Sequence, residues 1–555
     1  MPAYEEKEPL KCRSIILLFF AFFIIYSPFQ LGNWELRWRE DRYAALAMEM
    51  NLLHPNTVAH GEQIPFTYPL FPWLTAILHK TGLSLELCMR MLSIGSVAAL
   101  MVLVWEAGRR AKDIQTGMVA AAMMCSSLII IEKATDGYPH FTGLLLLFSA
   151  WLSWFTFGVA RGQWNKAWIV SFFFCSLVFL TIGWHGVLLF LFPLIFMRRP
   201  MTVWPKLRKP GFFLGVAMLM GVILLWTIPR VMASESSPFK NIVFNLDSND
   251  YLHYILTYPF ALFARYLPWS LIAWPAFCVA YFPLDKNPIF SRFLRTIVIS
   301  IFFLIWFAPF SDARDFILIA PALSVLCGIN YWLLVRRYGH QFHKLYSYLL
   351  YGLILFAAGI ILFYILPESV LMKIPYLQSR IEFREQNTIT GLLQASISIL
   401  IALITLQFIK KSMQLYTHIL MICVSGALCF WALLIPYREQ HTEKREMGKL
   451  MADALKEDMH LTNCQELPDS LVVYKGPGID LFYAPCIYMG TRVKKIYKLS
   501  ELPDSVKTVY MIATKFPASE KRDWKYVTPN PVTYRRENLY ILKGTLIQKE
   551  KKNSE

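Results

Sequence analysis

Apolar runs of about 20 residues recur along almost the whole chain up to Pro436, and a chain patterned this way has few folds open to it. In hydrocarbon every backbone N–H and C=O must find its partner within the protein, so such runs become helices that cross a membrane. Spans can be read from Ser14 to Leu31, Cys88 to Trp105, Ile114 to Ile131, His140 to Val159, and as a close pair from Ala167 to Met197 broken near Gly183. Further spans run from Gly211 to Ile228, Pro259 to Phe282, Thr296 to Phe310, Phe316 to Val335, Tyr346 to Leu366, Leu392 to Ile409 and Tyr416 to Pro436. Roughly thirteen spans result, which predicts a mostly α, polytopic helical membrane protein. Of the 555 residues, 56% are hydrophobic and 17% charged. The mean hydropathy of +0.42 excludes an ordinary soluble domain.

Orientation follows from the short connections, every second one of which is basic. They are Lys11/Arg13, Arg109/Arg110/Lys112, Arg161/Lys166, the run Arg198 to Lys209, Lys286/Arg292/Arg295, Arg336/Arg337/Lys344 and Lys410/Lys411. The positive-inside rule makes these cytoplasmic, and an odd number of spans sends the tail to the other side. The start of the chain lacks the small-residue cleavage site of a signal peptide, so Ser14 to Leu31 reads as a retained first span. The formal charge of +17 is spread over cytoplasmic loops and the tail. With no aromatic-interleaved basic strip for base stacking, no nucleic-acid partner is expected. The ten cysteines are scattered, with no CxxC pair. Cys464 and Cys486 alone fall in the tail, where an oxidising compartment predicts a disulfide; two separate buried thiols are the alternative.

Three regions stand outside the expected spans on the non-cytoplasmic side. The first, about Gly32 to Leu87, has apolar residues at helical spacing from Tyr43 to Met50, and a second helical stretch starts at Pro69 with Leu70, Trp73, Leu74 and Ile77. Both predict amphipathic helices lying along the membrane interface. The second region, Pro229 to Tyr258, is polar and reads as a lid. The third is the tail. The expected division is a transmembrane domain over 1–436 and a small α/β periplasmic domain over 437–555. Helical spacing covers Lys444 to Leu455, and β-like runs lie at Leu471 to Tyr474, Val493 to Tyr497, Val506 to Ile512 and Asn538 to Leu542.

Two short acidic segments, Trp38-Arg39-Glu40-Asp41-Arg42-Tyr43-Ala44 and Lys133-Ala134-Thr135-Asp136-Gly137, follow spans that place both on the non-cytoplasmic side. Carboxylates beside a bilayer cost too much desolvation energy to be kept idle, so they point to an enzyme rather than a channel. Each has a plainer rival. Arg42 beside Glu40 and Asp41 fits a surface ion pair, Asp136 fits an N-cap of the next span, and Tyr68 and Trp73 fit interfacial anchors. His185 in Gly183-Trp184-His185-Gly186 fits a hydrogen-bonded structural histidine better than a catalytic one.

The order of these motifs resembles a known family. The acidic cluster with Arg42-Tyr43-Ala44, then Gly61, the segment Pro65-Phe66-Thr67-Tyr68-Pro69-Leu70-Phe71-Pro72-Trp73-Leu74, Arg90, and Ala134-Thr135-Asp136 are similar to the bacterial lipid A aminoarabinose transferases. Those group with the dolichyl-phosphate-mannose protein mannosyltransferases among the GT-C membrane glycosyltransferases. The resemblance implies a polyprenyl-phosphate (undecaprenyl-phosphate) sugar donor and transfer at the periplasmic face of the bacterial inner (plasma) membrane. Such a transfer needs a carboxylate to activate the acceptor hydroxyl and cationic groups to hold the departing phosphate. Glu40, Asp41 and Asp136 are the expected catalytic acids, and Arg42, Tyr43, Tyr68 and Arg314 the expected substrate contacts.

This chain departs from the family pattern in four places. The family's Asp-Glu-x-Arg-Tyr places its first Asp at Arg39, its Glu at Glu40 and its variable position at Asp41, which leaves open which of Glu40 and Asp41 is the first catalytic acid. Thr67-Tyr68 stand where the family has Glu-Lys, its loop Glu-His has no counterpart between Pro229 and Tyr258, and Phe316 replaces the Tyr beyond Ser311-Asp312-Ala313-Arg314. No cofactor is implied with certainty, and a divalent metal stays open. The expected partners are the lipid-linked donor, membrane lipids, and an acceptor that is lipid A, another envelope glycan, or a protein. From a different class, a lipid-linked sugar transporter or flippase is the rival. That rival calls for polar residues and helix breaks midway through spans, whereas the ionisable residues here collect at span ends.

Overall fold

Hydropathy marks most of the helices of this chain, while serine and proline break two of the expected spans. The computed structural model describes residues 12–26, 35–37, 39–51, 58–64, 67–134, 136–233, 248–308, 315–371, 373, 388–409, 414–440, 443–461, 467–468, 471–476, 479, 483–503, 506–517, 522–527, 532–534 and 537–546. Packing groups the chain into two compact units, Met1–Gly32 with Met89–Gln440 and Asn33–Cys88 with His441–Glu555. The segment Asn33–Cys88, which sequence reading joined to the spans, thus groups with the tail, and the break before the tail falls at 440 rather than 436.

The first unit is helical. Among the described residues, eight helices are long and apolar enough to cross a membrane: Leu85–Ala111, His140–Ala160, Trp164–Ile182, Pro210–Arg230, Pro288–Trp306, Asp315–Ile365, Ile389–Phe408 and Leu415–Leu433. Shorter apolar helices include Cys12–Ile24, Ile114–Ser126 and Trp184–Ile195. The chain is a multi-pass membrane protein. The break expected near Gly183 is present, with that glycine at φ +74, a conformation that suits a residue without Cβ.

Four expected spans take another form. Ile114 to Ile131 divides at Ser127 into the helices Ile114–Ser126 and Leu128–Lys133. There the Ser126 and Ser127 hydroxyls donate to the carbonyls of Ala122 and Met123, bonds that bend helices. Pro259 to Phe282 is not one helix: Ser248–Arg265 ends near Pro268, and short turns Ser270–Ala273, Trp274–Phe277 and Val279–Leu284 follow around Pro275 and Pro283. The buried Arg295 guanidinium serves this irregular backbone, donating to the Ala276 carbonyl at 2.6 Å and pairing with the Asp285 carboxylate. Conversely, Phe316 to Val335 and Tyr346 to Leu366 join in one 46-residue helix, Ala320–Ile365. The basic stretch Arg336 to Lys344 has no proline, and the helix runs through it, Gly339 included. Of the expected lid, the stretch from Pro229 is helical to Ala233 and helical again from Ser248; the residues 234–247 lie outside the described set.

The second unit is built on a six-stranded sheet. Its strands are β3 Val472–Lys475, β4 Arg492–Lys495, β5 Thr508–Ala513, β6 Arg522–Tyr526, β7 Val532–Tyr534 and β8 Glu537–Leu546, in the order β4-β3-β5-β8-β6 with β7 on β8. β3 runs parallel to β4 and β5, and β8 antiparallel to β5 and β6. Alternate residues face opposite sides. Val473 and Ile512 pack under the helices Glu443–Asp458 and Ala484–Met489, while Tyr474 and Met511 pack on the other face. Both expected interfacial helices are present, as Glu40–Glu49 and Leu70–His79. Between them β1 Val58–Ala59 and β2 Glu62–Gln63 form a separate two-stranded hairpin, whose His60 carbonyl accepts the Lys495 N–H of β4 at 2.8 Å. Cys486 is buried; Cys464, its expected disulfide partner, lies outside the described residues.

Glycines allow the closest helix crossings in the helical unit. A Cβ on Gly117 would meet the Trp105 carbonyl at 2.6 Å, and one on Gly328 the Thr116 carbonyl at 2.6 Å, whereas Gly221 faces open space. Gly117→Ala and Gly328→Ala should each lower stability by roughly 1 to 3 kcal/mol, because backbone must move aside. Gly221→Ala should be neutral or slightly stabilising, and thermal melting of the three purified variants in detergent checks the contrast.

Candidate active site

In the helical unit the decisive segment links Leu128–Lys133 to His140–Ser153. A tight turn forms as the Asp136 N–H donates to the Lys133 carbonyl at 3.1 Å and the Tyr138 N–H donates to the Asp136 carbonyl at 2.9 Å. Asp136 is only 4% exposed. The N-cap position of the following helix is held by Pro139 rather than Asp136. Asp136 lines a cleft of about 10 Å³ with Lys133, Tyr138, His140, Phe141 and Ile317. That volume holds about one water molecule.

Cationic groups gather beside this cleft. Glu132 bridges Lys133 at 2.7 Å and Arg265 at 2.5 Å, and the Arg265 guanidinium lies over the Phe316 ring. Tyr138 and His140 stack edge to face with centroids 4.4 Å apart. Arg265 was missed because it sits in an apolar run that reads as part of a span; its distance in sequence from Glu132 hides the pairing. Arg314 lies outside the described residues, but the turn that follows it, Asp315–Ile319, supplies Ile317 to the cleft.

In the sheet unit the acidic helix Glu40–Glu49 begins with two carboxylates in its first turn, favourable next to the positive end of the helix dipole. Glu40 is 2% exposed and its carboxylate turns back to accept the Arg37 N–H at 3.0 Å. Asp41 and Arg42 are half-buried. Consecutive helix positions lie about 100° apart, so Glu40 and Asp41 address different surroundings. Tyr43 is buried, edge-on to Phe71 at 5.9 Å. Tyr68 is half-buried beside Thr67, whose hydroxyl donates to the Ile64 carbonyl. The structure therefore brings Glu40, Asp41, Arg42, Tyr43 and Tyr68 into one unit, while Asp136 belongs to the other. Among the described residues, no group of three or more His, Cys, Asp or Glu side chains could hold a metal ion.

No protein-family model matches the sequence, and neither does any curated protein. Solved structures do match in three dimensions. ArnT from Cupriavidus metallidurans in the apo state superposes with a TM-score of 0.66 at 14% identity, over 96% of this chain and 98% of that one. The same enzyme bound to undecaprenyl phosphate gives 0.65 at 14% identity with the same coverage. The fold is that of ArnT. ArnT is a lipid A aminoarabinose transferase, a GT-C membrane glycosyltransferase. An Archaeoglobus fulgidus oligosaccharyltransferase aligns over 88% of this chain and 65% of its own at 10% identity, but its TM-score of 0.44 gives that likeness no weight.

Near the acidic helix, His60 supplies a measurable handle on the ArnT-like sheet unit. With φ +55, followed by Gly61 at φ +78, it turns the β1–β2 hairpin, a place where Asn is the preferred residue. Its ring is 4% exposed and stacks on Tyr483 at 4.8 Å. Burial first, then the charges of Lys475 and Lys495, push its pKa down to about 3. A base whose folded pKa is depressed gives stability that is present above its unfolded pKa, about 6.5, and is lost as pH falls toward the folded value. His60→Asn should keep the turn and remove this acid sensitivity, worth on the order of 4 kcal/mol between those limits. Melting temperatures measured from pH 7 to pH 4 should show wild type falling more steeply than the variant; parallel curves would show that His60 does not titrate on unfolding.

Proposed function

We propose that this protein is a membrane glycosyltransferase that takes a sugar from a polyprenyl-phosphate donor, with Asp136 as its principal catalytic base. The observation that carries the reading is Asp136 itself: a nearly buried carboxylate lining a cleft with a lysine at its side on an ArnT fold. In the reaction, the carboxylate takes the proton of the acceptor hydroxyl as that oxygen bonds to the anomeric carbon. The anomeric carbon–phosphate oxygen bond breaks, and polyprenyl phosphate leaves with the electron pair. Lys133 neutralises the departing phosphate, with Arg265 and Glu132 holding it in position. Within the sheet unit, Glu40 or Asp41 is the further candidate acid and Arg42, Tyr43 and Tyr68 are candidate substrate contacts; Arg314 is a candidate from the sequence alone.

Undecaprenyl phosphate, which ArnT binds, is the donor carrier we propose. The acceptor is lipid A or another envelope glycan, and the proposed setting is the periplasmic face of a bacterial inner membrane, with the tail on that side as the positive-inside reading of the sequence favours. A donor hidden in the bilayer explains why the cleft is narrow at rest: a lipid-borne sugar must displace side chains to enter.

The test incubates purified protein with a panel of polyprenyl-phosphate sugars plus lipid, glycan and peptide acceptors, following release of free polyprenyl phosphate. Asp136→Asn should reduce turnover by about 100-fold to 10,000-fold, the usual range for lost general-base assistance, while melting stays near wild type. Near-wild-type turnover in that variant removes Asp136 from the chemistry.

A further inference from the structure

The tail sheet contains a lysine that has no business being buried unless it serves a carboxylate. Lys475, at the end of β3, is 2% exposed. An ammonium group taken out of water is tolerated only with an opposite charge close by. Its Nζ stands 5.7 Å from the Tyr483 ring centroid. Tyr483 in turn packs in one apolar cluster with Ala45 and Leu46 of the acidic helix. Asp41 lies one turn before Ala45, hence on the same helix face, which brings it toward the side where Tyr483 and Lys475 lie.

The other charges around Tyr483 have their own attachments. Glu62 pairs with Lys495 at 3.2 Å. Glu49 accepts the His60 N–H at 2.9 Å and feels the charge of Arg492. His60 is held neutral. Arg42, next along the helix from Asp41, also acts on Tyr483 through its charge, and its N–H donates to Asp41 Oδ1 at 2.8 Å. The nearby Cys486 thiol registers the convergence: burial lifts its pKa to about 12, Lys475 acts to lower it, and Glu49 and Asp41 act to raise it.

We propose that Lys475 is a positioning residue for Asp41, the tail-sheet counter-ion that keeps this carboxylate ionised and fixed on the acidic helix. The assignment deepens the glycosyltransferase reading, in which Asp41 is one of the acids, yet it can be tested without any activity. Removing the lysine would leave Asp41 beside buried surface with a raised pKa, so the stability lost would be lost at high pH and regained as pH falls.

The experiment is a double-mutant cycle in full-length protein, with melting followed at pH 8 and pH 5. Lys475→Met should melt well below wild type at pH 8 and recover much of the difference at pH 5. Asp41→Asn in the same chain should restore stability at pH 8, even if the lysine variant alone is too unstable to purify. Glu49→Gln should not. Lys475→Arg should stay close to wild type. Additive losses for Lys475→Met and Asp41→Asn, or rescue by Glu49→Gln in place of Asp41→Asn, overturn the proposal. Where donor turnover is measurable, the acid limb of its pH profile should move up by roughly 1 to 3 pH units in Lys475→Met, the shift expected from losing a close opposite charge. If no donor is consumed by any form, the melting cycle still decides the role of Lys475, and the failure belongs to the enzymatic reading.

Discussion

The first N–H groups of the tail helix Glu443–Asp458 have no partners within that helix, and the carboxylate of Glu35 meets them. It accepts from the Lys444 N–H at 3.0 Å and the Arg445 N–H at 3.3 Å, across 409 and 410 positions of sequence. Burial raises the pKa of this carboxylate, while the Lys444 charge and the two N–H groups hold it down. Around it the Lys444 ammonium donates to the Leu36 carbonyl at 2.8 Å, Arg445 pairs with Glu86 at 3.3 Å, and the Leu36 N–H donates to the Tyr488 hydroxyl at 2.8 Å. The segment just before the acidic helix is thereby nailed to the tail. The helix that carries Glu40 and Asp41 takes its place from this long-range capping and from the His60–Tyr483 stack, since an isolated ten-residue helix has little stability of its own.

This dependence explains why the unit was only half visible in the sequence. Both short helices were readable because their apolar residues recur at 3.6-residue spacing, and β3, β4, β5 and β8 because each falls in a short run rich in β-branched and aromatic residues. The strand Arg522–Tyr526, with three charged residues in five, carried no such signal. That Asn33–Cys88 folds with the tail is a tertiary fact: single residues such as Glu35 and His60 make the join, and no periodicity marks them. Among the spans, long apolar runs were legible but their ends were not. Ser126 and Ser127 read as ordinary span residues until their hydroxyls are seen bonded to the preceding turn, and Arg336 to Lys344 read as a connection although one helix runs through it.

The candidate chemistry was legible in a similar way. Asp136 and Glu40 stood out as carboxylates beside apolar runs, and both prove nearly buried. What sequence could not reveal was the company each keeps: Arg265 reaching back to Glu132, or Lys475 beneath the acidic helix. Polar groups kept out of water are costly wherever they are, and in the proposed reading these are the groups that would handle a lipid-borne phosphate and an acceptor hydroxyl.

The central claim, that the protein is made to hold a polyprenyl phosphate, is tested most directly by native mass spectrometry of the purified protein mixed with undecaprenyl phosphate and an excess of phosphatidylglycerol. A specific complex with undecaprenyl phosphate that survives the excess, and that weakens in Lys133→Met, is the result expected. Displacement of undecaprenyl phosphate as readily as any anionic phospholipid would contradict it.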